Sequence, residues 1–281
     1  MTKQAFSAIY VIESLKPCDL KTGESLYYDK IVHLCEANSL GHAFAKPADA
    51  QEFRAALRAI AQDCRQNPEI LPWIHIDAHG CDDRDGLILT SGEFIPWADL
   101  AEECRTINSF SRNNLVVVLA ACFGLEVVTV DAMAKLDRVG PFFAMVGPPD
   151  GPSAGQIEAA FPGFYDQIFT DGDMGKAMAS IRVDFGDFMC ERLFLRVIAR
   201  YFKDNCTGEA LEKRLDDLVK RAIEAHPEQA DQAAQFRREA EKQIMPSAAT
   251  FLRYKNAFLM ADHPDNVGRF PSTFDQAMAI P

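Results

Sequence analysis

The chain has 281 residues, of which 41 are acidic and 29 basic, giving a formal charge of −12. That balance argues against nucleic-acid phosphate and anionic membrane faces as partners and suits a cationic peptide better. No stretch reaches the roughly 20 apolar residues that a bilayer span requires, the nearest being LVVVLAACFG, so the expectation is a soluble, cytoplasmic protein.

Eight cysteines, Cys18, Cys35, Cys64, Cys81, Cys104, Cys122, Cys190 and Cys206, are scattered without a paired CxxC spacing, and no apolar leader precedes them. They read as reduced thiols of a cytosolic protein. The length supports one large domain or one domain with a smaller partner, without disulfide staples.

In chain order, the first β-rich run is AIYVI, Ala8 to Ile12, followed by a weaker one, GHAFA, Gly41 to Ala45. The stretch ADAQEFRAALRAIAQDC then repeats Phe53, Leu57, Ile60 and Ala61 at helical spacing, with Ala48 or Asp49 placed to cap it. The strand WIHIDA, Trp73 to Ala78, comes next. A small hairpin starts at Gly86–Thr90 and turns at Ser91-Gly92, and a helix from Pro96 packs Leu100 and Cys104 inward. LVVVLA, Leu115 to Ala120, is the most hydrophobic strand, and PFFAMV, Pro141 to Val146, is the last expected. Strands alternating with helices predict an α/β class with a mostly parallel sheet covered on both faces. From about Asp187 the pattern becomes helical and charge-laced, with Leu211, Leu215, Leu218 and Ile223 as an apolar face, and two or three short helices follow Pro246. The expected organisation is therefore a domain over residues 1–186 and a helical C-terminal region over residues 187–281.

Two chemistry-bearing features lie at predicted strand ends: His79-Gly80 after WIHIDA, and Cys122 after LVVVLA. Open α/β sheets place their ligands at the carboxyl ends of strands, where loops converge on rigidly held residues. A thiol becomes a competent nucleophile once a nearby imidazole takes its proton. The amides of Gly80 and Cys122 are candidates for an oxyanion hole, a device worth about 3 kcal/mol per donor. This chemistry calls for no cofactor. A metal reading also exists, in which His75 and His79 bind an ion together with Cys81 or Asp83. The string IDAH is similar to the metal-binding motif of the ureohydrolases, but Cys81 stands where that motif has its second aspartate, and no later acidic segment supplies the remaining ligands.

Strand-HG followed about forty residues on by strand-AC-x-G, here Ala121-Cys122-Phe123-Gly124, resembles the caspase-like (clan CD) cysteine peptidases. Ala120 stands where caspases carry glutamine, and the bacterial CHAT branch is more similar. Its landmarks occur in order: His79-Gly80, Asp85-Gly86-Leu87, Trp97-Ala98-Asp99-Leu100, Leu119 to Cys122, then Phe164-Tyr165 through Gly172 and Ala177. The resemblance covers roughly residues 5 to 185. It implies a caspase-like α/β/α sandwich and a cysteine endopeptidase that cleaves a protein or peptide substrate with His79 as base and Cys122 as nucleophile. It further implies a preference for Arg or Lys at P1, with Asp150 and Glu126 as candidate substrate-binding carboxylates, and a possible regulatory protein partner. The alternative is a caspase-fold scaffold whose site is silent.

Overall fold

The computed structural model describes residues 6–129 and 135–280. Their backbone forms an α/β structure with a mostly parallel sheet of eight strands among the described residues. The strand order is β2-β1-β3-β6-β7-β8, with β1 at Ala8–Ser14, β2 at Gly41–Ala45, β3 at Pro72–Gly80, β6 at Val116–Ala120, β7 at Ala144–Gly147 and β8 at Gly186–Met189. Only β8 runs antiparallel along this path. A short hairpin, β4 (Gly86–Ile88) and β5 (Phe94–Pro96), continues antiparallel from the end of β3.

The central strands β1, β3 and β6 are buried almost throughout, which explains why they are continuous runs of Ile, Val and Leu and not alternating ones. Helices cover both faces. On one lie α1 (Thr22–Leu26), which runs through a π turn at Tyr27–Ile31 into α2 (Val32–Ala37), and α5 (Ala154–Asp171). On this side Trp73 meets Phe164 and Tyr165, and His75 meets Phe161 edge-on at 4.7 Å. On the other lie α3 (Ala50–Gln66) and α4 (Trp97–Phe110), with Leu100 and Cys104 against Val117 and Leu119. Asp49 caps α3 by accepting the Glu52 amide at 2.8 Å. Gly172, at φ 70°, ends α5 in the left-handed conformation, and Asp173 caps the following α6 (Met174–Ile181).

The differences from sequence expectation have local causes. The strand expected from Pro141 begins only at Ala144, because the amides of Phe143 and Ala144 both turn to the Leu115 carbonyl before the ladder starts. The expected Gly86–Thr90 strand is paired only as far as Ile88. Strand β8 lies beyond the point where strands were expected to stop: its sequence, GDFM, has weak intrinsic β preference, and it is defined by pairing with β7. The helix of α1 and α2 was also not foreseen.

The backbone separates into two compact units, one of residues 1–135 and 139–190 and the other of residues 136–138 and 191–281. The second is built from α7 (Cys190–Asn205), α8 (Gly208–Ala225), α9 (Ala233–Ile244), α10 (Ala248–Leu259) and α11 (Phe274–Met278). Phe194 packs against Phe251 and Phe258, Phe202 against Phe274, and Arg237 of α9 bridges Glu212 and Asp216 of α8. In α8 only Leu215 is fully buried, while Leu211, Leu218 and Ile223 are half-buried along the same stripe.

His75 is wholly buried, with Nδ1 at 3.2 Å from the Tyr165 hydroxyl, and burial pushes its pKa down to about 3. It therefore stays neutral in the fold but protonates in the unfolded chain near its ordinary value of about 6.5. Its contribution to stability is complete above that pH and is lost as pH falls towards 3, by up to about 1.4 kcal/mol for each step of one in pH. Asp77, whose carboxyl burial pushes up to about 7, slopes the opposite way over much of this window. The stability difference between wild type and His75→Gln isolates the histidine: urea unfolding from pH 7 to pH 4 is expected to show wild type losing stability relative to the variant on acidification.

Candidate active site

Strands β3 and β6 pair in parallel as far as Asp77 opposite Ala120, so His79 and Cys122 each lie two residues beyond the last pair, at adjacent strand ends. Side chains two apart share a face. His75, Asp77 and His79 thus share the face covered by α1 and α5 with Val118 and Ala120. The contact is close: a Cβ built on Gly80 would lie 2.0 Å from the Cys122 carbonyl oxygen and 2.9 Å from its Cβ. Glycine is needed at 80 because the Cys122 turn occupies the space of a side chain.

The Gly80 amide has a defined direction. Cys81 donates to the Gly86 carbonyl at 2.9 Å, so Cys81–Gly86 is a hydrogen-bonded pair of the β3–β4 ladder and Gly80–Leu87 a non-bonded one. The N–H of Gly80 accordingly points away from β4.

After β6 the chain turns sharply at Cys122. Phe123 has φ 59°, in the left-handed region that a bulky aromatic enters at a cost of about 1–3 kcal/mol. Four backbone bonds fix the turn: Gly124 N–H to the Ala121 carbonyl (3.1 Å), Glu126 N–H to Phe123 (2.9 Å), Phe123 N–H to Asp150 (2.9 Å) and Leu125 N–H to Pro148 (3.1 Å). The Arg84 guanidinium stacks over the Phe123 ring at 4.3 Å. Cys122 is left half-buried at the tip, and the position of a Cβ on Gly151 falls 3.5 Å from its Sγ.

This environment differs from that of the other thiols. Cys35, Cys64, Cys104, Cys190 and Cys206 are buried, and burial pushes the thiol up to about 11 at Cys35 and to about 12 at Cys64 and Cys104. All five are packing residues. Cys18 is exposed and Cys81 half-buried.

The imidazole of His79 has a partner that sequence reasoning missed. Its Nε2 lies 2.7 Å from Asp19 Oδ2, in the loop 15–21 that leaves the carboxyl end of β1. Asp19 Oδ2 also accepts the Lys16 amide at 2.8 Å, and the hydrogen bond with His79 holds the Asp19 carboxyl below its ordinary value. An ionised carboxylate only accepts, so Nε2 is the donor in this bond, and in the neutral imidazole the lone pair then falls on Nδ1. Nothing around Asp19 in the sequence marks it. Only the placement of β1 next to β3 brings its loop to His79.

The remaining candidates separate. Glu126 is half-buried, with Arg84 Nη1 3.8 Å away. Asp150 is exposed and meets the turn after Cys122 through its carbonyl. His75 lies in the core against Phe161 and Tyr165, and among the described residues no group of three or more His, Cys, Asp or Glu side chains is arranged to hold a metal ion. No helix among the described residues is long and apolar enough to cross a membrane. Comparison of the chain with protein-family models finds no match, and neither does comparison with curated proteins.

Gly80→Ala is expected to push the Cys122 turn aside and to slow alkylation of Cys122 by iodoacetamide, read by mass spectrometry, at least tenfold. Gly155→Ala, where an added Cβ meets nothing within 4 Å, is expected to leave the rate unchanged.

Proposed function

We propose that this chain is a cysteine endopeptidase of the caspase-like, CHAT-like kind, acting through Cys122 and His79, with Asp19 orienting the imidazole. One observation supports the reading: a half-buried thiol on a constrained turn follows β6, and the adjacent parallel strand β3 carries near its end a histidine whose Nε2 is held by a carboxylate. That is the arrangement nucleophile, base and orienting group require, whatever their order in the chain.

In the proposed reaction the Cys122 thiol gives its proton to His79 Nδ1, and the sulfur attacks the scissile carbonyl. The developing oxyanion is stabilised by the amides of Gly80 and Cys122. As the C–N bond breaks, His79 returns the proton to the leaving amine. Water, deprotonated by the same imidazole, then hydrolyses the thioester. Asp19 stabilises the imidazolium that forms between these steps and keeps the ring from rotating.

A basic P1 residue suits a protein of charge −12. Of the two candidate carboxylates, Glu126 already faces a guanidinium, so Asp150 is the better candidate to meet a cationic side chain.

Cys122→Ala and His79→Ala are each expected to abolish cleavage in a panel of Lys, Arg and Asp reporter peptides. Asp19→Asn is expected to reduce kcat by about 10²-fold or more, the lower end of what a positioned base contributes. Cleavage retained in Cys122→Ala overturns the assignment. A wild-type protein that cleaves nothing in the panel, and whose Cys122 is alkylated no faster than Cys18, supports a silent scaffold instead.

A further inference from the structure

Two carboxylates lie beneath the candidate site, and the reaction outlined above uses neither. Glu13 of β1 and Asp77 of β3 stand opposite one another in the parallel ladder, and both are essentially inaccessible, at 0% and 1% exposure. Such a pair is costly to bury unless its oxygens receive hydrogen bonds. The donors come from the first turn of α1. The Thr22 hydroxyl donates to Asp77 Oδ2, the Gly23 amide is also directed to Asp77, and the Glu24 amide donates to Glu13 Oε2 at 2.8 Å.

The fit is close at this point. A Cβ on Gly23 would come within 3.1 Å of Asp77 Cβ and 3.3 Å of Glu13 Oε2, so a side chain at 23 would lift the helix from the sheet. Lys46 stands 3.8 Å from Glu13 Oε1 and 2.7 Å from Glu24 Oε2, and Lys21 contributes positive potential at Asp77. His75 and His79 lie on the same face of β3, and Asp29, Lys30 and Glu158 line a cavity together with Thr22 and His75.

This anchor has a consequence for the site. The loop 15–21 is tied at its start by the end of β1, where the Ser14 hydroxyl donates to the Pro47 carbonyl at 2.8 Å. It is tied at its end by Thr22. Between these points Lys21 Nζ folds back on the Leu15 and Lys16 carbonyls, and Asp19 reaches His79. The buried acids therefore hold the far end of the strap whose middle carries the orienting carboxylate.

We propose that Glu13 and Asp77 are positioning residues, which seat the first turn of α1 on the sheet and thereby hold Asp19 against His79. The name positioning residue rests on the peptidase reading, whereas the structural coupling from Asp77 through Thr22 to Asp19 does not. Burial together with the Glu13 charge pushes the Asp77 carboxyl up to about 7, as expected for two adjacent acids served by one set of donors.

The test is a double-mutant cycle with Thr22→Val, which removes the hydroxyl at nearly constant volume, and Asp19→Asn, both in the full chain. The first readout is the rate of Cys122 alkylation by iodoacetamide at pH 7, and the second is hydrogen exchange of the amides in residues 15–21. Thr22→Val is expected to slow alkylation three- to tenfold and to raise exchange in the strap while exchange in β1 and β3 stays as in wild type. In the double variant, alkylation is expected to be no slower than in Asp19→Asn alone, because Thr22 acts through Asp19. Asp77→Asn is expected to behave as Thr22→Val does, and if it fails to fold, the Thr22→Val cycle stands by itself.

Additive effects in the cycle, or unchanged exchange in residues 15–21 in Thr22→Val, overturn the proposal. Where wild type cleaves reporter peptides, Thr22→Val is further expected to lower kcat with KM unchanged, and a change confined to KM counts against it. Where wild type cleaves nothing, the peptidase reading fails by itself, and alkylation and exchange still decide the coupling.

Discussion

The parallel pairing of β3 with β6 is the interaction on which the rest of this structure depends. Both strands are buried on both faces, so their register is set by interlocking apolar side chains between two helical layers. A slip of one residue would turn His75 and Asp77 to the opposite face, away from Phe161, Tyr165 and the first turn of α1. The same register delivers His79 and Cys122 to one edge on rigid supports, and mobile loops are not needed to find each other there.

Polar groups inside this frame fall into two kinds. Some complete the fold locally: the Asn108 amide bridges the Asn113 side chain and the Gly140 carbonyl while its oxygen accepts the Leu115 amide, which sets the entry into β6. Others lie in a row on one face of β1 and β3, namely Glu13, His75 and Asp77, all out of contact with water. Hydrophobic residues of similar size would fill those positions at less cost. Their placement directly below His79 and the Asp19 strap gives that cost a structural purpose.

Two of the six described residues other than glycine with positive φ lie in the same region. Phe123 and Arg84 both adopt positive φ, at 59° and 62°, and stack on one another across the site. The backbone bonds to Pro148 and Asp150 tie the Cys122 turn to the segment after β7, so three strand ends, those of β3, β6 and β7, share in holding Cys122.

Local sequence determined the parts governed by short-range physics. The buried strands read as apolar runs, α3 as a capped helix with period 3.6, and His79-Gly80 and Cys122 as residues at the carboxyl ends of two such runs. These signals are legible because burial and capping act within a few residues of the chain. Strand β8 and the role of Asp19 were not legible: β8 exists only through its partner β7, and Asp19 lies 60 residues from His79. The acid pair of Glu13 and Asp77 was hidden for the same reason, since each is an ordinary carboxylate until the register of β1 on β3 sets them side by side. Tertiary structure decided these because a hydrogen bond between distant segments depends on the order of strands in the sheet, and composition and periodicity do not encode that order.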